Sequence, residues 1–134
     1  KGINARLINI HTIKPIDREI IIKAAKETGR IVTVEEHNVI GGLGDAVCDV
    51  VSAECPVKVT KIGVNDEFGR SGPAKELVSY FHLDAESIAA KAREAIALKK
   101  VAITKMETTN GAIVNNKGIN VLINVVMQII TIKE

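Results

Sequence analysis

Residues 30–46 read Arg30-Ile31-Val32-Thr33-Val34-Glu35-Glu36-His37-Asn38-Val39-Ile40-Gly41-Gly42-Leu43-Gly44-Asp45-Ala46, and this stretch decides the fold. Positions 31–34 are all β-branched and mostly apolar, which is the composition of a strand covered on both faces of a parallel sheet. Glu35, Glu36 and His37 then stand at the carboxyl end of that strand, the edge where open α/β sheets bind ligands and partners. Gly41, Gly42 and Gly44 permit positive φ or a close backbone approach. Asp45 is placed to cap the helix that starts there.

The glycine turn does not read as a phosphate loop. A dinucleotide fingerprint needs G-x-G-x-x-G directly after the strand, and a nucleoside-triphosphate loop needs G-x-x-x-x-G-K-[ST]. Here the spacing is G-G-x-G, three residues separate it from the polar cluster, and the turn holds no lysine or arginine. The carboxylates on either side would repel a phosphate that the helix amino end otherwise attracts. A tight turn that packs helix against sheet is the simpler expectation.

Working outward, positions 6–10 read as a first strand, with His11 and Thr12 at its carboxyl end. Asp17 caps an amphipathic helix whose apolar stripe is Ile20, Ile21, Ala24 and Ala25, and Gly29 stops it. Val47, Val50 and Val51 mark the buried face of the next helix, which Pro56 ends. Positions 57–64 are a third strand whose partial alternation places it near a sheet edge. A polar loop follows at 65–72, then a short helix with Ser71 or Gly72 as cap and Leu77, Tyr80 and Phe81 as its buried side. Asp84 caps a last helix with Ile88, Ala92, Ala95 and Ile96 inward. This alternation predicts a three-layer α/β domain with a mostly parallel sheet flanked by helices. His11 and the Glu35, Glu36, His37 group then end parallel strands and share one edge.

From Val101 the texture changes. Positions 103–114 suggest a hairpin around Asn110-Gly111, whereas 119–132 is almost continuously apolar, with β-branched residues favouring strand and polar spacing favouring helix. The expected division is therefore a domain at 1–100 and an atypical extension at 101–134.

Composition narrows function. The chain has 134 residues, the size of one domain, with 46% hydrophobic and 2% aromatic residues and a formal charge of +2 from intermixed lysines and acids. Stacking aromatics and basic runs are missing, so neither nucleic acid nor carbohydrate is an expected partner. Cys48 and Cys55 lie ~10 Å apart in rise on a helix, beyond disulfide reach, and two thiols alone make no structural zinc site. No apolar run reaches the roughly 18 residues of a membrane span. A cytoplasmic chain, part of something longer, is the expectation.

Four blocks now stand in register: His11-Thr12-Ile13-Lys14-Pro15-Ile16-Asp17, Val34-Glu35-Glu36-His37, Gly41-Gly42-Leu43-Gly44 and Asp66-Glu67-Phe68-Gly69-Arg70-Ser71-Gly72. Together they resemble the C-terminal domain of transketolases, most of all the small separately encoded subunit of bacterial split transketolases. The corresponding domains of 1-deoxyxylulose-5-phosphate synthase and of 2-oxo acid dehydrogenase β subunits are similar to a lesser degree. The resemblance covers about residues 3–98. It implies a part of an enzyme of two-carbon ketol transfer between sugar phosphates. Thiamine diphosphate and magnesium are then held by upstream domains, this chain binds neither alone and is inactive by itself, and its role is packing and dimerisation. Arg70 departs from the pattern, since relatives often carry an acid there, and the tail from Val101 matches no part of it.

Sharper chemistry finds little support in the residues. His11, His37 and Glu36 could ligate a metal, but spaced motifs such as His-x-x-x-His are absent. Ser71 lacks the nucleophile elbow and its strand. His11, Glu35, Glu36, His37, Gly41, Gly42, Gly44 and Arg70 are therefore read as an interface or polar cluster facing a neighbouring domain or subunit, with no catalytic, cofactor-binding or metal-binding residue assigned. The competing reading is a stand-alone binding or assembly module that uses the strand-end crevice.

Overall fold

The computed structural model describes residues 3–110 and 128–132, with four helices and four strands. Strands β1 (Ala5–Asn9), β2 (Arg30–Asn38) and β3 (Lys58–Val64) alternate with helices α1 (Arg18–Thr28) and α2 (Leu43–Glu54). Then come α3 (Ala74–Tyr80), α4 (Ala85–Asn110) and β4 (Gln128–Ile132). The sheet order is β1-β4-β2-β3. β2 pairs parallel with β3, while β4 runs antiparallel to both β1 and β2. The strands of the alternating segment thus share one direction, as the mostly parallel reading expects.

The period-2 pattern of β2 builds the three layers. Ile31 faces one way, into a core with Ile21, Ala24 and Ala25 of α1 and Leu43, Val47 and Val50 of α2. Val32 and Val34 face the other way, against Leu83 and the Ile88, Ala92 and Ala95 stripe of α4. Three caps follow the sequence reading: Asp17 accepts from the Ile20 N–H at 3.1 Å, Gly29 is left-handed at φ 69°, and Asp84 accepts from the Ser87 N–H at 3.0 Å. Cys48 and Cys55 are free thiols.

Other expectations are corrected. Residues 103–110 continue α4 and do not form the first arm of a hairpin, because a helix already propagating from Ala85 adds one hydrogen bond per residue. Of the ambiguous tail, Gln128–Ile132 is strand, inserted between β1 and β2 with Ile129 fully buried; 111–127 lies outside the described residues. Helix α3 has no fully buried residue, and Pro73 is its N-cap without a side-chain hydrogen bond, so Ser71 does not cap it. No helix among the described residues is long and apolar enough to cross a membrane.

Candidate functional site at the strand ends

The carboxyl end of β2 is bulged. From Arg30 to Val34 it pairs residue for residue with β3, but the next pair is Asn38 with Val64, so four steps of β2 pass two of β3. Strict alternation would bury one of Glu36 and His37; the bulge leaves both exposed. Gly63 makes room for it, since a Cβ there would lie 2.7 Å from the His37 carbonyl oxygen and 2.9 Å from the Val39 side chain. Sequence reasoning missed Gly63, although a lone glycine inside a strand is a signal of close backbone approach.

Glu35 is fully buried and points under α2. Its two carboxylate oxygens accept the first helical amides, Leu43 N–H at 2.6 Å and Gly44 N–H at 2.9 Å. A carboxylate here satisfies two of the unpaired donors that every helix start leaves and lies at the positive end of the helix dipole. Two expectations are thereby corrected, one for Glu35 and one for Asp45. Glu35 is not an exposed interface group, because its carboxylate is enclosed. Asp45 is not the cap of α2, because Glu35 supplies that function from the preceding strand.

Asp45 instead closes the turn from outside. Its carboxylate accepts the Gly41 N–H at 2.6 Å and pairs with the Lys61 ammonium from β3. The hydrogen bond with Lys61 holds the Asp45 carboxyl below its usual range, with the Gly41 N–H acting in the same direction. The same bond raises Lys61. Burial pushes the neighbouring Cys48 thiol up, away from the reactive thiolate.

The glycines divide by cause. Gly41 is the positive-φ residue of the turn, at 76°, with open space around it. Gly42 and Gly44 are buried close approaches: a Cβ on Gly42 would sit 2.0 Å from a Glu35 oxygen, and one on Gly44 would sit 2.7 Å from the Lys61 stem. Like Glu35, these two belong to the interior of the edge and not to its surface.

What remains exposed at the edge is His11 after β1, Glu36 and His37 at the end of β2, and the 65–72 loop after β3. The His37 Nδ1 lies 2.9 Å from the Asn38 carbonyl oxygen, and the Asn38 amide donates to Asp66 at 2.9 Å, tying the β2 end to the loop. β4 separates the β1 and β2 ends, so His11 stands two strands away from Glu36 and His37 in the sheet. Among the described residues no group of three or more His, Cys, Asp or Glu side chains could hold a metal ion. Arg70 lies over the Tyr80 ring, 4.4 Å from its centroid, a cation–π contact within the chain.

Residues 1–88 match the family described as transketolase, C-terminal domain. A putative transketolase C-terminal section of Methanocaldococcus jannaschii is 51% identical over 94 residues, 69% of this chain and 29% of that protein. One of the subunits of the apulose-4-phosphate transketolase of Phocaeicola vulgatus is 49% identical over 94 residues, 70% of this chain and 30% of that protein. A solved structure described as a split gene transketolase, inactive beta4 tetramer, superposes with a TM-score of 0.63 at 48% identity, covering 67% of this chain and 29% of that one. The chain thus spans less than a third of the length of these relatives. On the match over residues 1–88 and these identities, the chain belongs to the transketolase C-terminal domain family.

Proposed function

We propose that the chain is the non-catalytic C-terminal part of a thiamine-diphosphate-dependent transketolase, and that its strand-end edge docks on the cofactor-binding part of the enzyme. The observation that carries this is the use made of Glu35. This fully buried carboxylate of the edge is committed to the Leu43 and Gly44 amides, so it supports the fold and occupies the first two N-terminal donors of α2. What supports a cofactor held elsewhere is that Glu35 takes the two first donors of α2, the kind a diphosphate would otherwise meet, and that no group of three or more His, Cys, Asp or Glu able to hold an ion stands among the described residues. His11, Glu36, His37 and the 65–72 loop face outward, as contact residues do.

Under this reading the purified chain alone shows no ketol transfer and no thiamine diphosphate binding by isothermal titration, and adding the thiamine-diphosphate-binding subunit restores transfer. Tight binding of the cofactor by this chain alone would refute it.

A further inference from the structure

The sheet ends laterally at β3, and that side is built to take one more strand. In the order β1-β4-β2-β3, β3 is paired only with β2. The Val64 carbonyl accepts the Val39 N–H at 3.0 Å, so it points toward β2. Successive residues of a strand turn their N–H and C=O to opposite sides, and the bulge lies in β2, so β3 keeps this alternation back from Val64. Val59 and Lys61 therefore present both backbone groups on the open side, and no backbone hydrogen bond meets them there among the described residues.

A cleft runs along this row. Its lining takes in β3 without a break from Lys58 to Gly63 and, on the opposite wall, Ala90 and Ala95 of α4. An edge strand facing a helix across a groove is a geometry in which extended segments add to a sheet: the ladder supplies affinity, and the wall selects alternate side chains. One strand residue fills about 3.3 by 4.8 by 10 Å, so the cleft of about 800 Å³ holds roughly five of them. β3 offers seven residues to pair with. Ile62 and Phe81 make the lining apolar beside Ala90, and the charges of the α4 wall, Lys91 and Glu94, pair with each other at 2.9 Å. Edge strands are commonly guarded by lysine, but here the Lys61 ammonium is drawn to Asp45 of α2 and the Val39 carbonyl. At its far end the cleft reaches Asn65, which follows β3 at the strand-end edge, so a partner docked on that edge has the cleft within reach.

We propose that an extended segment of the cofactor-binding subunit, about five residues long, adds to β3 as a further strand of the sheet, with alternate side chains against Ile62, Phe81 and Ala90. This contact rests on the docking reading and deepens it, because it is made through backbone groups beside the strand ends. Amide exchange followed by nuclear magnetic resonance on the 134-residue chain, free and with the thiamine-diphosphate-binding subunit, reads the ladder directly. Thr60 and Ile62, turned toward β2, are protected in both states. Val59 and Lys61 exchange readily in the free chain and are expected to slow about tenfold or more in the complex. Ala90 is exposed, so Ala90→Trp fills the cleft from the helix wall with the circular dichroism spectrum unchanged. It raises the dissociation constant for the subunit about tenfold or more. A complex that forms without slowing Val59 and Lys61, or that is indifferent to Ala90→Trp, overturns this contact and leaves docking at the strand ends standing. Absence of any complex overturns both.

Discussion

The Glu35 carboxylate accepts the Leu43 N–H at 2.6 Å across eight residues of chain, so the strand that ends at the edge also starts the helix behind it. Glu35→Gln keeps the shape but turns one acceptor oxygen into an NH₂ donor facing a backbone N–H. The expected loss is about 2 to 3 kcal/mol, the magnitude of a charge-assisted bond replaced by an unsatisfied buried donor. Urea unfolding at neutral pH measures it, and an unchanged midpoint would mean that the first turn of α2 is held by packing alone.

The three turn glycines separate in an alanine series. Gly42→Ala places a Cβ 2.0 Å from the Glu35 oxygen and 2.8 Å from the Asn38 carbonyl oxygen, so the cap itself must move. This variant is expected to be the least stable. Gly41→Ala meets no atom within 4 Å but must hold φ near 76°, a strain of about 1 to 2 kcal/mol. Gly44→Ala meets chiefly the flexible Lys61 stem and gains helix propensity, so it is expected to lie nearest the parent. Thermal melts that rank Gly44→Ala below Gly42→Ala would show the approach to Lys61 to be the rigid one.

How far the sequence carried is visible in these residues. The strand and helix order, the Asp17 and Asp84 caps and the edge position of β3 follow from local patterns. Glu35 and Glu36 are adjacent and chemically alike, yet Glu35 is enclosed by the first amides of α2, while the bulge opposite Gly63 leaves Glu36 and His37 both solvated, and no local pattern announces either. The helix over 103–110 and the strand Gln128–Ile132 were not legible for a different reason. A turn signal such as Asn110-Gly111 is local, whereas the place of β4 between β1 and β2 depends on pairing across the whole chain.

Acid should loosen the domain through Asp84 and Asp45. Bonds from Ser87, first its backbone N–H and then its hydroxyl, hold the Asp84 carboxyl below the ordinary aspartate range, and the Lys61 bond does the same for Asp45. A carboxyl lowered in the folded state gives stability that is present above the unfolded value and is lost as pH falls through the folded one. Asp84→Asn and Asp45→Asn are therefore expected to melt a few degrees below the parent at about pH 7 and to converge on it at about pH 2. Both carboxylates face solvent, so salt should narrow the difference for the Asp45–Lys61 pair. A gap that persists unchanged in acid would locate the effect in packing.

The outward residues of the edge test the docking role separately from the fold. Glu36 and His37 are exposed, and no hydrogen bond ties the Glu36 side chain to the described chain, so Glu36→Ala and His37→Ala should change stability by no more than about 0.5 kcal/mol. If the β2 end meets the cofactor-binding subunit, each residue is enclosed there with a partner. Its truncation leaves that partner unpaired, at roughly 2 to 5 kcal/mol of binding. The subunit concentration needed to restore ketol transfer should then rise, while the rate at saturation holds, because neither residue touches the reacting atoms under this reading. His11→Ala tests how far the contact extends along the edge, since β4 sets the β1 end apart from the β2 end. Equal titration curves for the parent, Glu36→Ala and His37→Ala would remove the β2 end from the interface. A fall in the saturating rate without a shift in the titration would place these residues nearer the chemistry than the reading allows.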